Sequence, residues 1–571
     1  MDKITKSLLD SFVKENDLEK LEESKQFEHF TNYSIISKLY RSSFELSVVS
    51  TGDGGDGAID GLAIIVNGKL IESVDELDDI TTNSSYLDCD IVFIQSKTSS
   101  KFEGSEIGSF IFGVKDFISD KPKLVHNEDL VMAKDIWEAV INKSAYMINH
   151  RPNCKLYYAT TGKWVNDKNL LAVISSGVDE ITDTGLFEDV SFLSLGANEM
   201  QKYYHETRNK LSATVTFLNR ITLDDISGVK EAYLGILPFK EFLHLIQDEN
   251  QTIYNIFDYN IRDFLGENEI NKKIKQTLID RKFDLFCVLN NGVTIVSSSI
   301  TPAGNRFTLR DYQIVNGCQT SNVLHESRGI AGIDSLCVPV KIIVTEDEDI
   351  RNEITIATNS QTEVKPEQLE ALNQFQKRLE LYYNSVKGPG HLYYERRTQQ
   401  FHSTQGVKKA HIITIPIQIK SFASAFLNVP HAVSGYYGTI ATRFKGKMFG
   451  SDHKYSPYYA SALCYQKLAI NFRLGIIDSK FKKIKFHLIM LARMIAMGID
   501  LPPISSDKID ALSEGFITTL NDDDKSIQLL EEASQIFEKS GLDISQKQFK
   551  AESETETLIK TLKKHISISI S

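Results

Sequence analysis

The chain has 571 residues, of which 42% are hydrophobic and 25% charged, a composition typical of a folded globular protein with about two to four domains. Its 64 Lys and Arg residues against 76 Asp and Glu residues give a formal net charge of −12. This balance excludes a protein that coats nucleic acid through its overall charge, so any contact with phosphate must come from local basic groups or a bound cation.

Signals for location and for cysteine chemistry point to a reducing, aqueous compartment. No apolar run approaches the roughly 18 residues that a membrane span needs, and the charged N-terminus does not resemble a secretory signal. The six cysteines include no CxxC pair, which argues against a zinc module or a disulfide framework. We therefore expect a cytoplasmic protein without membrane contact.

Two helical patterns, over residues 1–24 and 25–41, open the chain, and two apolar runs with strand character follow. Asp60 begins the first run, and Gln95-Ser96-Lys97 ends the second. Side chains at positions i and i+2 of a strand point to the same face, so Gln95 and Lys97 project together. If the two strands pair, Asp60 faces them across the sheet.

Asp60, Gln95 and Lys97 have the chemistry of phosphodiester hydrolysis. A carboxylate and an amide oxygen suit a hard divalent cation such as Mg²⁺ or Mn²⁺, which prefers oxygen ligands. A lysine ammonium can orient or deprotonate the attacking water and offset negative charge that develops on the phosphate. We predict Asp60 and Gln95 as catalytic metal ligands and Lys97 as their catalytic partner.

Simpler interpretations of the same residues stay open. A Gln-x-Lys at the end of an apolar run occurs by chance, and a glycine-rich loop is often only a turn. Asp53 and Asp56 in the GDGGDG loop are rival carboxylates, ranked below Asp60 because they lie outside the strand. A calcium loop is disfavoured, because the ligand spacing and terminal glutamate of an EF-hand are absent.

The order Asp…Gln-x-Lys on consecutive strands resembles the core of the PD-(D/E)xK nucleases, in the Gln-x-Lys form of Mrr-like restriction endonucleases. The resemblance implies a restriction-endonuclease-like α/β domain over residues 1–210 that cleaves DNA, with RNA left open as a substrate. It also implies an acidic residue on the preceding helix, so Glu28 is carried over as a catalytic residue and metal ligand. The wide separation of Asp60 from Gln95 predicts an extra hairpin or polar loop over residues 67–89.

Residues 259–365 contain four notable strings: Asn260-x-Arg262, Asn290-Asn291-Gly292-Val293-Thr294, Gln313-Ile314-Val315-Asn316-Gly317-Cys318-Gln319-Thr320 and ATNSQTEVK at 357–365. These strings are similar to the abortive-infection phage-resistance (AIPR) family, and the resemblance covers roughly residues 215–450. The resemblance implies an α+β central AIPR domain over residues 211–410 and a mostly helical C-terminal region of the same module over 411–571. It also implies a role in bacterial defence against phage.

The AIPR strings are rich in uncharged hydrogen-bonding side chains and in Asn-Gly turns that expose backbone N–H groups. Together with an arginine, such groups can form a pocket for a nucleotide, a base edge or a phosphate. A purely structural role remains equally open, because Asn-Gly is a common hairpin turn and a buried amide often only caps a loop. The predicted ligand-binding residues are Arg262, Asn291, Asn316, Gln319, Thr320, Asn359 and Gln361.

The C-terminal region carries the densest basic run of the chain, formed by Lys480, Lys482, Lys483 and Lys485. The run is either a local phosphate-binding surface, which the acidic total otherwise lacks, or a solvated helix face.

The sequence thus predicts a bacterial defence nuclease with an N-terminal, Mg²⁺- or Mn²⁺-dependent DNA endonuclease domain. The AIPR module serves recognition, sensing or assembly. A homo-oligomer, a dimer in the first instance, and a phage-derived or nucleotide trigger are left open. The alternative, of a different class, is a non-cleaving nucleic-acid or nucleotide-binding sensor or scaffold, because the Gln95 amide is a weaker metal ligand than a carboxylate.

Overall fold

The computed structural model describes residues 1–40, 42–52, 54–83, 87–147, 150–208, 211–247, 253–254, 269–359, 374–396, 400–401, 404, 406–544 and 550–570. The chain divides into two compact units, the first formed by residues 1–80, 89–207 and 370–571 and the second by 81–88 and 208–369. The predicted domain boundaries at residues 210 and 410 stay predictions. In the ranges described, no helix combines the length and apolar character that crossing a membrane requires.

Helices and strands are interspersed up to residue 359, and helices dominate the rest of the described chain. The strands are β1 (Gly61–Val66), β2 (Lys69–Leu70), β3 (Cys89–Lys97), β4 (Asn153–Thr160), β5 (Val190–Leu195), β6 (Ser212–Thr216), β7 (Asn219–Leu223), β8 (Glu231–Pro238), β9 (Val293–Ala303), β10 (Arg306–Asn316), β11 (Cys337–Val344), β12 (Tyr393–Glu395) and β13 (Ile412–Thr414). The helices are α1 (Lys3–Glu15), α2 (Glu23–Leu39), α3 (Val74–Asn83), α4 (Gly104–Ile118), α5 (Glu128–Ile141), α6 (Lys168–Thr182), α7 (Ala197–Arg208), α8 (Phe239–Ile246), α9 (Glu269–Ile279), α10 (Phe286–Leu289), α11 (Cys318–Glu326), α12 (Glu348–Asn359), α13 (Gln374–Ser385), α14 (Ile415–Phe426), α15 (Tyr437–Arg443), α16 (Ser456–Arg473), α17 (Lys485–Met497), α18 (Asp507–Asn521), α19 (Asp523–Lys539) and α20 (Glu552–Ile570).

A mixed five-stranded sheet of order β2-β1-β3-β4-β5 organises the N-terminal part of the first unit. Strand β1 is antiparallel to β2 and β3, whereas β4 and β5 run parallel to β3. The apolar runs of β1 and β3 are almost wholly buried, as expected for strands that are covered on both faces. Ala63, Val92 and Ile94 pack with side chains of α1, α2 and α7 on one face, so Phe93 and Gln95 point to the other.

The segment of residues 67–89, predicted as an extra hairpin or polar loop, contains strand β2 and helix α3. Asn67 and Gly68 form the predicted tight turn, between β1 and β2, with backbone φ angles of 51° and 71°. The acidic stretch that follows folds as helix α3, which buries Leu77 and Ile80. Its acidic residues concealed the helix, because the two buried apolar positions are too few to make an obvious apolar stripe.

The helical part of the first unit, α13 to α20, shares one large apolar core that runs from Phe375 to Leu562. The second unit is built on a six-stranded sheet of order β6-β10-β9-β11-β8-β7. Its two edge strands, β6 and β7, are successive in sequence and are joined only by Phe217 and Leu218. The sheet is therefore curled until its edges meet at this corner. The mixed α/β fold with a mostly helical C-terminal region is confirmed, because the last strand of the two large sheets, β11, ends at Val344.

Helix α4 touches the glycine-rich loop, residues 51–59, at Gly113. A Cβ atom added to Gly113 would lie 1.7 Å from the carbonyl oxygen of Gly57, whereas one added to Gly108 of the same helix meets no atom within 4 Å. We expect Gly113→Ala to lower the free energy of unfolding by about 1–3 kcal/mol through overpacking. Gly108→Ala should raise it by up to about 1 kcal/mol, because alanine favours helix. Urea denaturation of both variants tests this, and equal stability would contradict it.

Candidate functional site

The carboxylate of Asp60, immediately before β1, lies among hydrogen-bond donors from β3. Its Oδ2 atom accepts from Gln95 Nε2 at 2.8 Å, from the Ser96 backbone N–H at 2.7 Å and from Ser96 Oγ at 3.1 Å. The backbone N–H of Asp60 donates to the carbonyl of Ile94 at 2.8 Å, which fixes the register of β1 on β3. The structure thus brings the predicted pair Asp60 and Gln95 into direct contact.

Gln95 contributes an oxygen that has no hydrogen-bond partner. The side chain is 2% exposed, and its Nε2 donates to Asp60 and, at 3.3 Å, to the Ser96 carbonyl. These two acceptors fix the orientation of the amide. The Oε1 atom is left buried without a donor anywhere in the described part of the chain. An unsatisfied buried polar atom costs about 1–3 kcal/mol, and this oxygen belongs to the amide whose nitrogen contacts the Asp60 carboxylate. Carboxylate and amide oxygens are both ligands that a hard cation prefers. The residues present therefore fit a divalent cation.

Burial dominates the electrostatics of Asp60. It raises the pKa of this carboxyl to about 6, against the opposing effects of the Ser96 backbone N–H and the Lys97 charge, while Asp56 raises it further. The carboxylate is thus a charge that the folded protein holds in a poorly solvated place. A cation at this position would relieve that cost.

Lys97 lies two residues after Gln95 on the same face of β3, as predicted. Its ammonium is 3.2 Å from Glu106 Oε2 on α4, and its side chain is 37% exposed. Glu103 and Glu106 flank this side of the site at the start of α4. Lys97 is therefore an accessible cationic group close to the buried Asp60–Gln95 pair.

Glu28 lies on α2, and its Oε2 atom is 2.6 Å from the ammonium of Lys25, which also donates to the Gly52 carbonyl at 3.2 Å. One turn further along, Asn32 Nδ2 donates to the backbone carbonyl of Asp60 at 3.0 Å. Residues four positions apart share a helix face, so Glu28 lies on the side of α2 that meets the Asp60 segment. Its role as a metal ligand stays a prediction.

Carboxylates alone do not make the site. Within the described ranges, no three His, Cys, Asp or Glu side chains form a group that could hold a metal ion. The amide oxygen of Gln95 is therefore essential to any cation site here. Of the rival loop carboxylates, Asp56 accepts from the Ala58 backbone N–H at 2.9 Å and so stabilises the loop, and Asp53 lies outside the described residues.

Two residues at the site were not predicted. Ser96 supplies two of the donors to Asp60, although it lies inside the Gln-Ser-Lys string. Tyr158 of β4 pairs in register with Gln95, and its side chain is fully buried. Burial, together with Glu106, Glu103 and Asp60, raises the pKa of its phenol. Only the pairing of β4 with β3 could reveal this tyrosine, and that pairing is not visible in the sequence.

Three residues of the predicted ligand-binding set of the second unit, Asn316, Gln319 and Thr320, lie where β10 ends and α11 begins. Asn316 Nδ2 donates to the Thr358 carbonyl at 2.5 Å, which joins this end to α12. Gly317 has a φ of 97°, and a Cβ atom there would lie 2.8 Å from Val293 Cγ2. Only glycine fits this close, left-handed connection into α11.

The remaining members of that set fall into three groups. Gln319 and Thr320 are buried in the first turn of α11, and within the described residues Gln319 Nε2 has no partner. Asn291 is exposed just before β9. Arg262, Gln361 and the side chain of Asn359 lie outside what the structure describes. Binding of a ligand by this cluster stays a prediction.

Comparison with known families identifies the larger part of the chain. A sequence profile of the family described as AIPR protein matches residues 257–563. The chain belongs to the AIPR family. The predicted AIPR resemblance is thereby confirmed, and the matched segment includes both the Asn316 cluster and most of the helical C-terminal region. Searches of the curated proteins and of the solved structures found no match.

The basic run of the AIPR segment takes part in ion pairs with other elements of the same unit. Each of its lysines pairs with a carboxylate. By nitrogen–oxygen distance the pairs are Lys480–Glu538 at 2.7 Å, Lys482–Asp129 at 2.7 Å, Lys483–Glu128 at 3.6 Å and Lys485–Glu72 at 2.9 Å. The Lys482 pair is well buried, with side chains 13% and 8% exposed. The interpretation as a solvated helix face is wrong for Lys482, whose pair is buried, and phosphate binding by the run stays a prediction. The sequence did not reveal these pairs, because the partners are remote in the chain.

Asp129, the partner of Lys482, stands beside the glycine-rich loop that leads to Asp60. A Cβ atom on Gly52 would lie 2.9 Å from Asp129 Oδ2. Asn127, the N-cap of α5, donates its backbone N–H to Gly55 O and its Nδ2 to Gly54 O, each at 3.0 Å. Lys482 of the AIPR segment thus binds Asp129 in the first turn of α5. The N-cap of α5, Asn127, in turn hydrogen-bonds to the loop that precedes Asp60.

Proposed function

We propose that the chain is a divalent-metal-dependent endonuclease that hydrolyses phosphodiester bonds of DNA in defence against phage. Membership of the abortive-infection phage-resistance family indicates the defence role. The observation that carries the nuclease activity is the Gln95 Oε1 atom, buried and without a partner among the described residues, beside the Asp60 carboxylate and Lys97. This arrangement supports an Mrr-like PD-(D/E)xK site in the N-terminal sheet.

Asp60 and Gln95 would hold the cation through oxygen atoms, and Glu28 is the further candidate ligand. A divalent cation at that place supplies Lewis-acid chemistry, since it withdraws charge from a phosphate oxygen and makes water more acidic. Ser96 keeps the Asp60 carboxylate in position through two hydrogen bonds. The preorganised carboxylate therefore needs no rearrangement when substrate binds.

Lys97 acts on the water and on the phosphate. Its ammonium, placed by the pairing with Glu106, can donate hydrogen bonds to the attacking water and orient it. The same positive charge offsets the negative charge that builds up on the phosphate oxygens during in-line attack. The AIPR module then serves to recognise substrate or trigger, to sense infection or to mediate assembly.

The test is cleavage of supercoiled, linear, methylated and unmethylated DNA, and of RNA, by the purified chain with Mg²⁺ or Mn²⁺. We expect nicked and linear DNA products, and EDTA should prevent their formation. Lys97→Ala should slow cleavage by about 10²–10³-fold, the usual cost of losing one transition-state donor. Lys101→Ala, which alters an exposed lysine four residues on, should cleave at the rate of the unaltered chain. Undiminished cleavage by Lys97→Ala would overturn the assignment.

A further inference from the structure

A cavity of about 210 Å³ lies within the first unit, between the N-terminal sheet and helices of the AIPR segment. Strand β1 and helix α5 line it from the N-terminal side, and helices α16 and α17 line it from the other side. One water molecule requires only about 10–15 Å³ of such space. Of the described residues Asp60, Gln95 and Lys97, none belongs to the wall. The cavity is therefore separate from the Asp60–Gln95 site.

The greater part of the cavity wall is apolar. Its buried members come from both sides and include Leu62, Ile64, Ile136, Leu468 and Phe472. A water molecule in such a space needs about two to four polar partners, which an apolar wall supplies poorly. An apolar ring system that fills the space instead removes its own surface and that of the wall from water. Ligand sites in proteins are commonly of this kind, mostly apolar with a few polar groups.

Two neighbouring lysines of the wall differ in how closely they are paired. Lys482 Nζ lies 2.7 Å and 2.9 Å from the two carboxylate oxygens of Asp129. Lys483 Nζ lies 3.6 Å from Glu128 Oε2, which is longer than a hydrogen bond. Glu128 is half exposed and, among the described residues, is not part of the wall. Lys483 therefore brings to the cavity a positive charge with which a bound anion can pair.

Solvent reaches the cavity, because Met132 and Ala133 of its wall are only half-buried and the Lys550 side chain is 33% exposed. We propose that the cavity binds a small organic anion with flat apolar rings. The rings pack against the apolar wall, to which Phe472 and Phe486 contribute aromatic surface, and the anionic group pairs with Lys483. Binding here does not require that the chain cleaves DNA, so this inference stands apart from the proposed nuclease function.

The probe is anilinonaphthalene sulfonate, which joins flat apolar rings to one anionic group. Its fluorescence is titrated with the full chain in EDTA and without DNA, next to phenylnaphthylamine, which has the same rings and no sulfonate. We expect one saturable site for the sulfonate. Lys483→Met should raise the Kd of the sulfonate about tenfold, the effect of losing a charge-assisted hydrogen bond, and should change the Kd of the uncharged probe by less than about twofold. Lys480→Met, from the same basic run but outside the wall, should leave both Kd values unchanged.

Ala469→Phe tests the space itself. Ala469 lines the cavity on α16 and is 8% exposed, so a phenyl ring at this position occupies part of the volume. We expect both probes to bind about tenfold more weakly, while the Tm is unchanged or higher because a cavity is filled.

Unchanged binding of the sulfonate by Lys483→Met would overturn the inference, as would unchanged binding of both probes by a folded Ala469→Phe chain. If Ala469→Phe does not fold, the Lys483→Met titration decides alone. A chain that binds the sulfonate as expected but cleaves no DNA would overturn the nuclease function and leave this inference standing.

Discussion

Asp60→Asn is expected to slow metal-dependent DNA cleavage by about 10³-fold or more, because a ligand oxygen that carries the charge is lost and transition-state stabilisation falls by several kcal/mol. Asparagine keeps the shape of the site, since its Oδ1 atom can accept from Gln95 and Ser96 as Asp60 Oδ2 does. The loss would therefore report the charge and not a collapse of the strand end. Initial rates of plasmid nicking in Mg²⁺ measure it.

The same variant should be more stable than the unaltered chain when metal is absent. The pKa of Asp60 is about 6 in the folded chain against 3.8 for an ordinary aspartate, so folding disfavours its ionised form by about 3 kcal/mol at neutral pH. Between pH values of about 4 and 6 the folded state holds the proton more tightly than the unfolded state, and stability falls as pH rises through that window. Denaturation in EDTA should give Asp60→Asn a higher free energy of unfolding than the unaltered chain at pH 7.5. At pH 4 the two values should be nearly equal.

Asp56→Asn provides the matched control, because it changes the other described carboxylate of the same segment. The amide oxygen that this substitution introduces can still accept from the Ala58 backbone N–H, and we expect cleavage within about tenfold of the unaltered rate. If Asp56→Asn abolished cleavage and Asp60→Asn did not, the metal site would belong to the glycine-rich loop.

Lys482→Met is expected to lower the free energy of unfolding by about 3–5 kcal/mol, because it leaves the buried Asp129 carboxylate without its partner. Burial already raises the pKa of Asp129, and the Lys482 charge opposes that rise. Without the lysine, the pKa of the folded carboxyl rises further. The destabilisation should then be larger at pH 8, where Asp129 is ionised, than at pH 5, where it can take up a proton. Urea denaturation at the two pH values measures both effects.

Lys480→Met is the control from the same basic run. Its pair with Glu538 is 43% and 52% exposed, and its loss should change stability by less than about 1 kcal/mol. The double variant Lys482→Met/Asp129→Asn removes both buried charges and should regain much of the lost stability. Equal effects of Lys480→Met and Lys482→Met would show that burial of the Lys482 pair has no energetic consequence.

The sequence was informative where local pattern and chemistry coincide. The proximity of Asp60 and Gln95 could be predicted because the two apolar runs have the pattern of neighbouring strands. Strand alternation also places Gln95 and Lys97 on one face. The AIPR strings identified the family, since Asn316-Gly317 and its neighbours occur in a specific order. Both inferences use residues close together in the chain.

What escaped prediction depends on contacts between distant segments. Tyr158 is one of two adjacent tyrosines, and only the register of β4 decides which of them faces Gln95. Lys482 and Asp129 are 353 positions apart, so the sequence around either residue does not indicate their pairing. The sequence shows the basic run but not the carboxylates with which its lysines pair.

The buried ion pairs between the N-terminal segment and the AIPR segment have a consequence for how this protein evolves. Glu76–Lys420 and Asp129–Lys482 each join a carboxylate of the first 210 residues to a lysine of the family segment. Recombination near residue 210 between diverged relatives would leave such buried charges without their partners. Each buried pair broken in this way would lower the free energy of unfolding by about 3–5 kcal/mol. The two segments are therefore expected to be inherited together, with compensating changes at paired positions, and not exchanged as independent cassettes.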